Sequence, residues 1–268
     1  MNLDDVIAIE SGSTPGEYLA SIPPGWGQGR AAYGGVAGAI IVRAAQAAVS
    51  ADRPVRSLAL AFAGPLLLGP VRVQVVTLRS GSQTTHLRVS LIQADQVVTE
   101  ATVVCAADRT STLPHATLPP PTVAEPAALY PFPYMEGLTP EFTQHFDFRW
   151  TVDTLPFSGS ARGHVQGWIR CPDAIAGGLP LLTGLLDAWP PPIWALYDEP
   201  ARGSSVNWHI SFTAAAALVR ADEYCLFDSV LTFAADGYSD CQSAMWNQAG
   251  ELVALSRQFF ADYPLVRW

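Results

Sequence analysis

Residues 33–63 read YGGVAGAIIVRAAQAAVSADRPVRSLALAFA, and two periodicities meet within them. From Tyr33 to Ser50, Ala, Ile and Val recur at helical density behind a glycine-rich turn at Gly25 to Gly29, so a helix is expected there. From Val55 to Ala63 the pattern shortens to alternation, with Leu58, Leu60 and Phe62 two apart, which predicts a strand with one buried face. A helix rich in apolar residues all round cannot face water and must be covered. The cover comes from the strands that follow, Val71 to Leu78, Thr84 to Gln93 and Gln96 to Ala106, separated by Gly or Asp turns.

The same order recurs further on. Residues 108–140 hold eight of the 22 prolines, a density that neither a helix nor a central strand tolerates, and read as a linker. Beyond it come a strand from Gly163 to Cys171 and a helix from about Pro180 to Trp189. Strands follow at Ser205 to Thr213, Tyr224 to Ala235, Tyr238 to Gln248 and Glu251 to Asp262, with Asp236-Gly237 as a hairpin turn. At an offset of roughly 150 residues, Leu58, Leu60 and Phe62 fall on Trp208, Ile210 and Phe212; slightly larger offsets carry Gly81 onto Gly237 and Ala94-Asp95 onto Ala249-Gly250. The expected class is α+β, a double hotdog: two tandem repeats of a long antiparallel sheet, each wrapped round a central helix. Its parts would be an N-terminal unit at 1–107, the linker at 108–140 and a C-terminal unit at 141–268.

Composition narrows the function. The 268 residues carry 15 basic and 24 acidic side chains, a net charge of −9, and all the basic ones are Arg. Without a basic run, nucleic-acid binding through phosphate neutralisation is not expected. Without Lys, a Schiff base, a Lys-dependent phosphate loop and a Ser-Lys dyad are excluded. The acidic start, Met1 to Glu10, does not read as a secretory signal, and Ala31 to Val42 is too short to span a bilayer, so a cytoplasmic protein without membrane insertion is expected. Cys105, Cys171, Cys225 and Cys241 lack metal spacing and read as reduced, buried hydrophobes.

The segment Gly27-Gln28-Gly29-Arg30-Ala31-Ala32-Tyr33-Gly34-Gly35 resembles the glycine-rich approach to the first hotdog helix of the acyl-CoA thioesterase II family, and Val75 to Gly81 resembles that family's first long hairpin. The likeness spans about 14–107 and 160–262. It implies hydrolysis of acyl-CoA thioesters in fatty acid metabolism, with no cofactor and no covalent intermediate, by an aspartate, a hydroxyl and a glutamine that hold one water. Carried over, these are Asp187 in Leu185-Leu186-Asp187-Ala188-Trp189, Ser205, and Gln258 in Ser256-Arg257-Gln258. The hydroxyl is Ser where the family has Thr, and Val206-Asn207-Trp208-His209 lacks the Asp-His pair common in bacterial members. Ser204 adjoins Ser205, so a one-residue slip in register would exchange them.

Residue chemistry leaves alternatives open at each position. Asp187 lies about two turns into its helix, too deep to cap it, among leucines where a carboxylate is expensive to bury. The bland alternative is an exposed stripe or an ion pair with an arginine such as Arg202. Gln258 shares a strand face with Ser256 and Phe260 and could simply face solvent. Ser205 could merely satisfy a backbone group. Gly34 and Gly35 are expected to bind substrate by offering helix N-terminal N–H groups to a thioester oxyanion; the plainer role is a tight turn into the helix. Arg30, Arg79, Arg162 and Arg202 are available for CoA phosphates, and Trp189 to Trp194 could wall an acyl pocket or only pack.

Other chemistries fit less well. Gly27 to Ala32 matches a GxGxxA dinucleotide pattern, but Pro23-Pro24 stand where a buried strand should end. His86, His115, His145, His164 and His209 are scattered, so no metal is expected, and His209 lies about 13 Å along a strand from Ser205, too far for a dyad. The Asp-x-Asn-Pro-x-His stretch of a hotdog hydratase is absent; a non-catalytic acyl-CoA or lipid-binding module is the rival outside enzymes. Sheet edges and faces favour a homo-oligomer, a homodimer in the simplest case.

Overall fold

The computed structural model describes residues 1–113 and 116–263; Pro114 and His115 fall outside it. Three α-helices are present among the described residues: α1 (Leu3–Val6), α2 (Gly34–Ala47) and α3 (Leu179–Asp187). The strands are β1 (Glu10–Ser11), β2 (Glu17–Ile22), β3 (Gly27–Gln28), β4 (Ala31–Ala32), β5 (Val55–Phe62), β6 (Gly69–Ser80), β7 (Thr84–Gln93) and β8 (Gln96–Ala106). After them come β9 (Asp147–Trp150), β10 (His164–Arg170), β11 (Arg202–Phe212), β12 (Cys225–Ala235), β13 (Tyr238–Trp246) and β14 (Leu252–Tyr263).

Twelve strands form one antiparallel sheet in the order β1-β2-β6-β7-β8-β5-β11-β14-β13-β12-β10-β9. The order is palindromic: β1 answers β9, β2 answers β10, and so inward to the central pair β5 and β11. That pair aligns Leu58 with Ile210, Ala59 with His209 and Leu60 with Trp208. The residues matched at an offset of 150 therefore meet across a pseudo-twofold axis through Ala59 and His209. The fold is a double hotdog, with α2 and α3 packed against each other beneath the continuous sheet.

The halves are more alike than the sequence suggests. Strands β1, β2 and β9 escape a periodicity reading because they are short and, in β2, abut Pro23-Pro24, yet β2 pairs with β6 as β10 pairs with β12. The Ala94-Asp95 and Asp236-Gly237 turns have positive φ at both central residues (48° and 58°; 55° and 78°), the twist that two-residue hairpins require. Helix α3 stops at Asp187, short of the expected Trp189, because Pro190-Pro191-Pro192 cannot continue it. The glycine-rich stretch forms a small β3–β4 hairpin rather than the strand-to-helix turn of a dinucleotide site.

Helix α2 is buried from Gly35 to Val42 and again at Ala44 and Ala45, and its one charged side chain, Arg43, reaches Asp4 of α1 at 3.1 Å. Glycine lets the helices close on one another. A Cβ on Gly38 would stand 2.7 Å from Thr183 Cγ2 and 2.9 Å from the Trp208 ring. Part of the proline-rich segment lies along the C-terminal half, where the carbonyls of Ala124 and Leu118 accept the indole N–H of Trp168 and Trp246 at 2.9 and 2.8 Å. Since the Gly38 site has no room for a methyl, Gly38→Ala is expected to lower stability by about 1–2 kcal/mol despite alanine's better helix propensity. Urea unfolding should show a lower midpoint with an unchanged slope; an unchanged or raised midpoint would contradict the packing.

Candidate active site

Alternation from Phe212, Ile210 and Trp208 back along β11 would put Ser204, not Ser205, on the face turned toward the helices. The structure reverses this. The β11–β14 register shifts between Ser205 and Asn207, so one extra residue, Val206, is bulged out and Ser205 pairs with Phe260 on the inner face. On β14, Gln258 lies opposite Trp208 and is only 7% exposed. The Gln258 amide Nε2 donates to Asp187 Oδ1 at 2.7 Å and to Ser205 Oγ at 2.7 Å. Three residues from one helix and two strands, separated by up to 71 positions, thus meet at one amide group. An ionised carboxylate only accepts, so the nitrogen end of the amide must face it. The Ser205 O–H and one Gln258 oxygen remain to orient a further partner.

Asp187 ends α3 and lies at the start of α2, whose Ncap Tyr33 makes no side-chain cap bond. A carboxylate there meets the positive end of the α2 dipole. The glycine pair makes the approach possible. A Cβ on Gly34 would lie 2.7 Å from Asp187 Oδ2 and 3.1 Å from the Phe62 ring, and one on Gly35 would lie 2.3 Å from the Tyr33 ring. Asp187 keeps a little accessible surface, yet protein surrounds it closely enough that burial pushes its carboxyl up from 3.8 to about 6, against the Gln258 hydrogen bond and the Gly35 amide, which both favour the anion. Arg202 makes no ion pair with Asp187 and is exposed. Phe62 and Tyr33, which border the site, carry no functional signal in the sequence: Phe62 reads only as part of an alternating strand and Tyr33 only as the neighbour of the glycine pair.

The remaining candidates lie elsewhere. His209 points outward, opposite Ala59. Arg30, Arg79 and Arg162 are exposed on separate elements. All four cysteines are free and buried, and burial raises the Cys105 and Cys241 thiols to about 11 and Cys171 to about 12. None is a poised nucleophile. No group of His, Cys, Asp and Glu side chains among the described residues could hold a metal. No helix among them is long and apolar enough to cross a membrane. A groove of about 540 Å³ lined by residues including Thr102, His209 and Arg257 opens on the outer face, away from Asp187.

Register also shows why the symmetry-related place among the described residues lacks this cluster. Leu58 pairs with Val103 as Trp208 pairs with Gln258, and Val55 precedes Leu58 as Ser205 precedes Trp208. The symmetry-related positions of Gln258 and Ser205 are therefore valines, both about 1% exposed or less.

The molecule is thus a double hotdog in which a partly desolvated carboxylate is bridged to a serine through a glutamine. Family comparison makes the assignment specific. Residues 22–106 match the acyl-CoA thioesterase N-terminal domain and residues 117–261 match the acyl-CoA thioesterase C-terminal domain, so the chain belongs to the acyl-CoA thioesterase family. Among solved structures it is similar to a conserved protein of unknown function with a hot dog fold from Alicyclobacillus acidocaldarius (TM-score 0.89, 21% identity, 98% of each chain covered). It is also similar to acyl-CoA thioesterase II TesB2 from Mycobacterium marinum (TM-score 0.78, 20% identity, 98% of this chain and 99% of that one). A TesB protein of Mycobacterium avium subsp. paratuberculosis aligns at TM-score 0.76 and 20% identity over 98% of each chain. A search of curated proteins finds no match to this chain.

The raised Asp187 carboxyl has a consequence for stability. Between its ordinary value of 3.8 and about 6, the folded state binds the proton that the unfolded state releases, so stability falls as pH rises through that window and stays low above it. The cost of ionised Asp187 above the window is roughly 2–3 kcal/mol. Asp187→Asn, which keeps the shape and can still accept from Gln258, should raise Tm at pH 8 and change it little at pH 4. A lower Tm at pH 8 would contradict the burial argument.

Proposed function

We propose that this protein hydrolyses acyl-CoA thioesters to a free acid and CoA by direct attack of a water held by Asp187, Ser205 and Gln258. The observation that carries the proposal is the Gln258 amide bridging Asp187 Oδ1 and Ser205 Oγ at 2.7 Å each. Asp187 accepts a proton from the water as its oxygen bonds to the thioester carbonyl carbon. The Ser205 hydroxyl fixes the water's direction, and Gln258 fixes both partners. The oxyanion lies against the N-terminus of α2, where the Gly34 N–H is the donor, since the Gly35 amide favours the Asp187 anion. Collapse of the tetrahedral species breaks the C–S bond; the proton held by Asp187 goes to the departing sulfur, and the carboxyl group remains on the acyl product.

In this reading the two hotdog units at 1–107 and 141–268 are joined by the 108–140 segment, acyl-CoA is the substrate and no cofactor takes part. The protein works in fatty acid metabolism in the cytoplasm as a homodimer. Arg202, exposed three residues before Ser205, is the arginine nearest in the chain to that hydroxyl and suits the CoA phosphates.

Thiol release from an acyl-CoA, followed by a colorimetric thiol reagent, tests the reaction. Asp187→Asn should lower kcat by about a hundredfold or more, as expected for loss of a general base. Retained activity, or acyl-CoA binding without any thiol release by the unmodified protein, would overturn the hydrolase reading. Because the base must be ionised, kcat/KM should fall on the acid side of a midpoint near pH 6, by about tenfold per pH unit. A midpoint near 4 would assign the base to a different, solvated carboxylate.

A further inference from the structure

Four neighbours from four elements keep accessible surface around the site: Gly34 at the start of α2, Phe62 at the end of β5, Asp187 at the end of α3 and Ser205 on β11. Phe62 is the apolar side chain among them, and the reaction steps above give it no part. Its ring edge meets the reacting groups closely. A Cβ on Gly34 would stand 3.1 and 3.3 Å from two Phe62 ring carbons and 2.7 Å from Asp187 Oδ2. Because β5 pairs Ala61 with Asn207, Phe62 comes next to the Val206–Ser205 end of β11. Its counterpart at an offset of 150, Phe212, is only 7% exposed and belongs to the core, so the ring at position 62 is the one that solvent reaches.

A thioester carbonyl oxygen that accepts from the Gly34 N–H stands about 3 Å from that nitrogen. The carbonyl carbon then presents two further substituents, the sulfur and the first carbon of the acyl chain, C2, and one of them faces the Phe62 ring. Surroundings decide which. Beyond Phe62, residues 63–68 are all apolar, Gly or Pro, and Leu67 and Leu68 are exposed. This loop is held beside the start of α2. The Leu66 carbonyl accepts from the Ala32 N–H at 2.8 Å, the Gly64 N–H donates to the Val98 carbonyl at 3.0 Å, and the Gln93 side chain bonds the Leu67 N–H and carbonyl at 2.8 and 2.9 Å. On the other side of the site, the end of β11 is polar, with Ser204 and Arg202 exposed. The amides that follow the sulfur in CoA suit that polar side, and the hydrocarbon of the acyl group suits the side of Phe62.

We propose that Phe62 is a specificity-determining residue: its ring is the wall against which C2 of the acyl group lies, and it selects acyl thioesters whose C2 is unbranched. The selectivity rests on the thioesterase reading given above. A C2 methylene can lie flat on the ring. Extra carbons on C2 would press into the ring edge or onto Gly34, where the spacing already excludes a Cβ. Thr99, the β8 partner of Phe62, is fully buried and fills the side away from β11, so the ring has little room to retreat. A wall of this kind discriminates by about tenfold or more for each added methyl group.

The test uses ketone analogues of octanoyl-CoA and 2,2-dimethyloctanoyl-CoA in which a methylene separates the carbonyl from sulfur. Neither can be hydrolysed, so binding is read apart from chemistry. With both C2 hydrogens replaced, the dimethyl compound has no smaller substituent to turn toward the ring. Calorimetric titration of the full chain should give a Kd lower by about tenfold or more for the straight compound. The ratio should shrink to about threefold or less in Phe62→Ala, which removes the wall, and in Phe62→Leu, which keeps an apolar side chain at the position but lacks the ring edge. Equal affinity of the two compounds for the unmodified protein, absence of binding by both, or an undiminished ratio in either variant would overturn the wall. Thiol release from octanoyl-CoA, measured alongside, separates the outcomes: release with no preference between the ketones rejects the wall and spares the hydrolase, and no release rejects the hydrolase, and the wall with it, however the ketones bind.

Discussion

A carboxylate set among leucines and a helix end must be supplied with hydrogen-bond donors or it will take up a proton. In this protein the supply comes from the Gly35 backbone amide and from the Gln258 side chain, whose amide nitrogen reaches Asp187 and Ser205 at 2.7 Å each. Elements of both halves serve that contact. The bulge at Val206 turns Ser205 inward, the proline run ends α3 just past Asp187, and glycines at the start of α2 leave space for the carboxylate to approach. The balance between burial, which disfavours the anion, and these donors, which favour it, holds the Asp187 carboxyl at about 6, above its ordinary 3.8.

The palindromic sheet shows how a duplicated unit is divided between two tasks. Pseudo-symmetry would allow two equivalent sites, one at each end of the helix pair. Valines at positions 55 and 103 occupy the places of Ser205 and Gln258 and are sealed in the core. The N-terminal half contributes instead the helix terminus, Gly34 and Gly35, and the Phe62 ring that borders Asp187. Each half is thus incomplete without the other, which accounts for one continuous sheet and a helix–helix contact rather than two separable units.

Much of this was legible in the sequence because it rests on strong local patterns. The long strands β7 and β8 fall on the residues that alternation predicts, and the Asp236-Gly237 turn carries the residue types that its positive φ demands, while Ala94-Asp95 reaches the same twist with an alanine at φ 48°. What alternation could not deliver was the choice between Ser204 and Ser205, since a bulge breaks the period of two and leaves no mark on composition. Short edge strands such as β1 and β9 were invisible for a similar reason: two to four residues hold too little periodicity to read. The unpaired Asp262 Oδ1 and Trp194 Nε1 atoms gave no signal, beyond Trp194 lying in a tract that could wall an acyl pocket or only pack, because a missing partner is a property of packing alone.

The acyl-CoA thioesterase assignment and the geometry of Asp187 meet in one quantity, the protonation of a single side chain. Carbon-13 labelling of aspartate, with Asp187→Asn as the subtraction control, would resolve the Asp187 carboxyl resonance and follow it with pH. The account predicts a midpoint near 6, moving higher when Gln258→Leu removes the donor that favours the anion. A midpoint at the ordinary value of 3.8, unmoved by loss of Gln258, would contradict it.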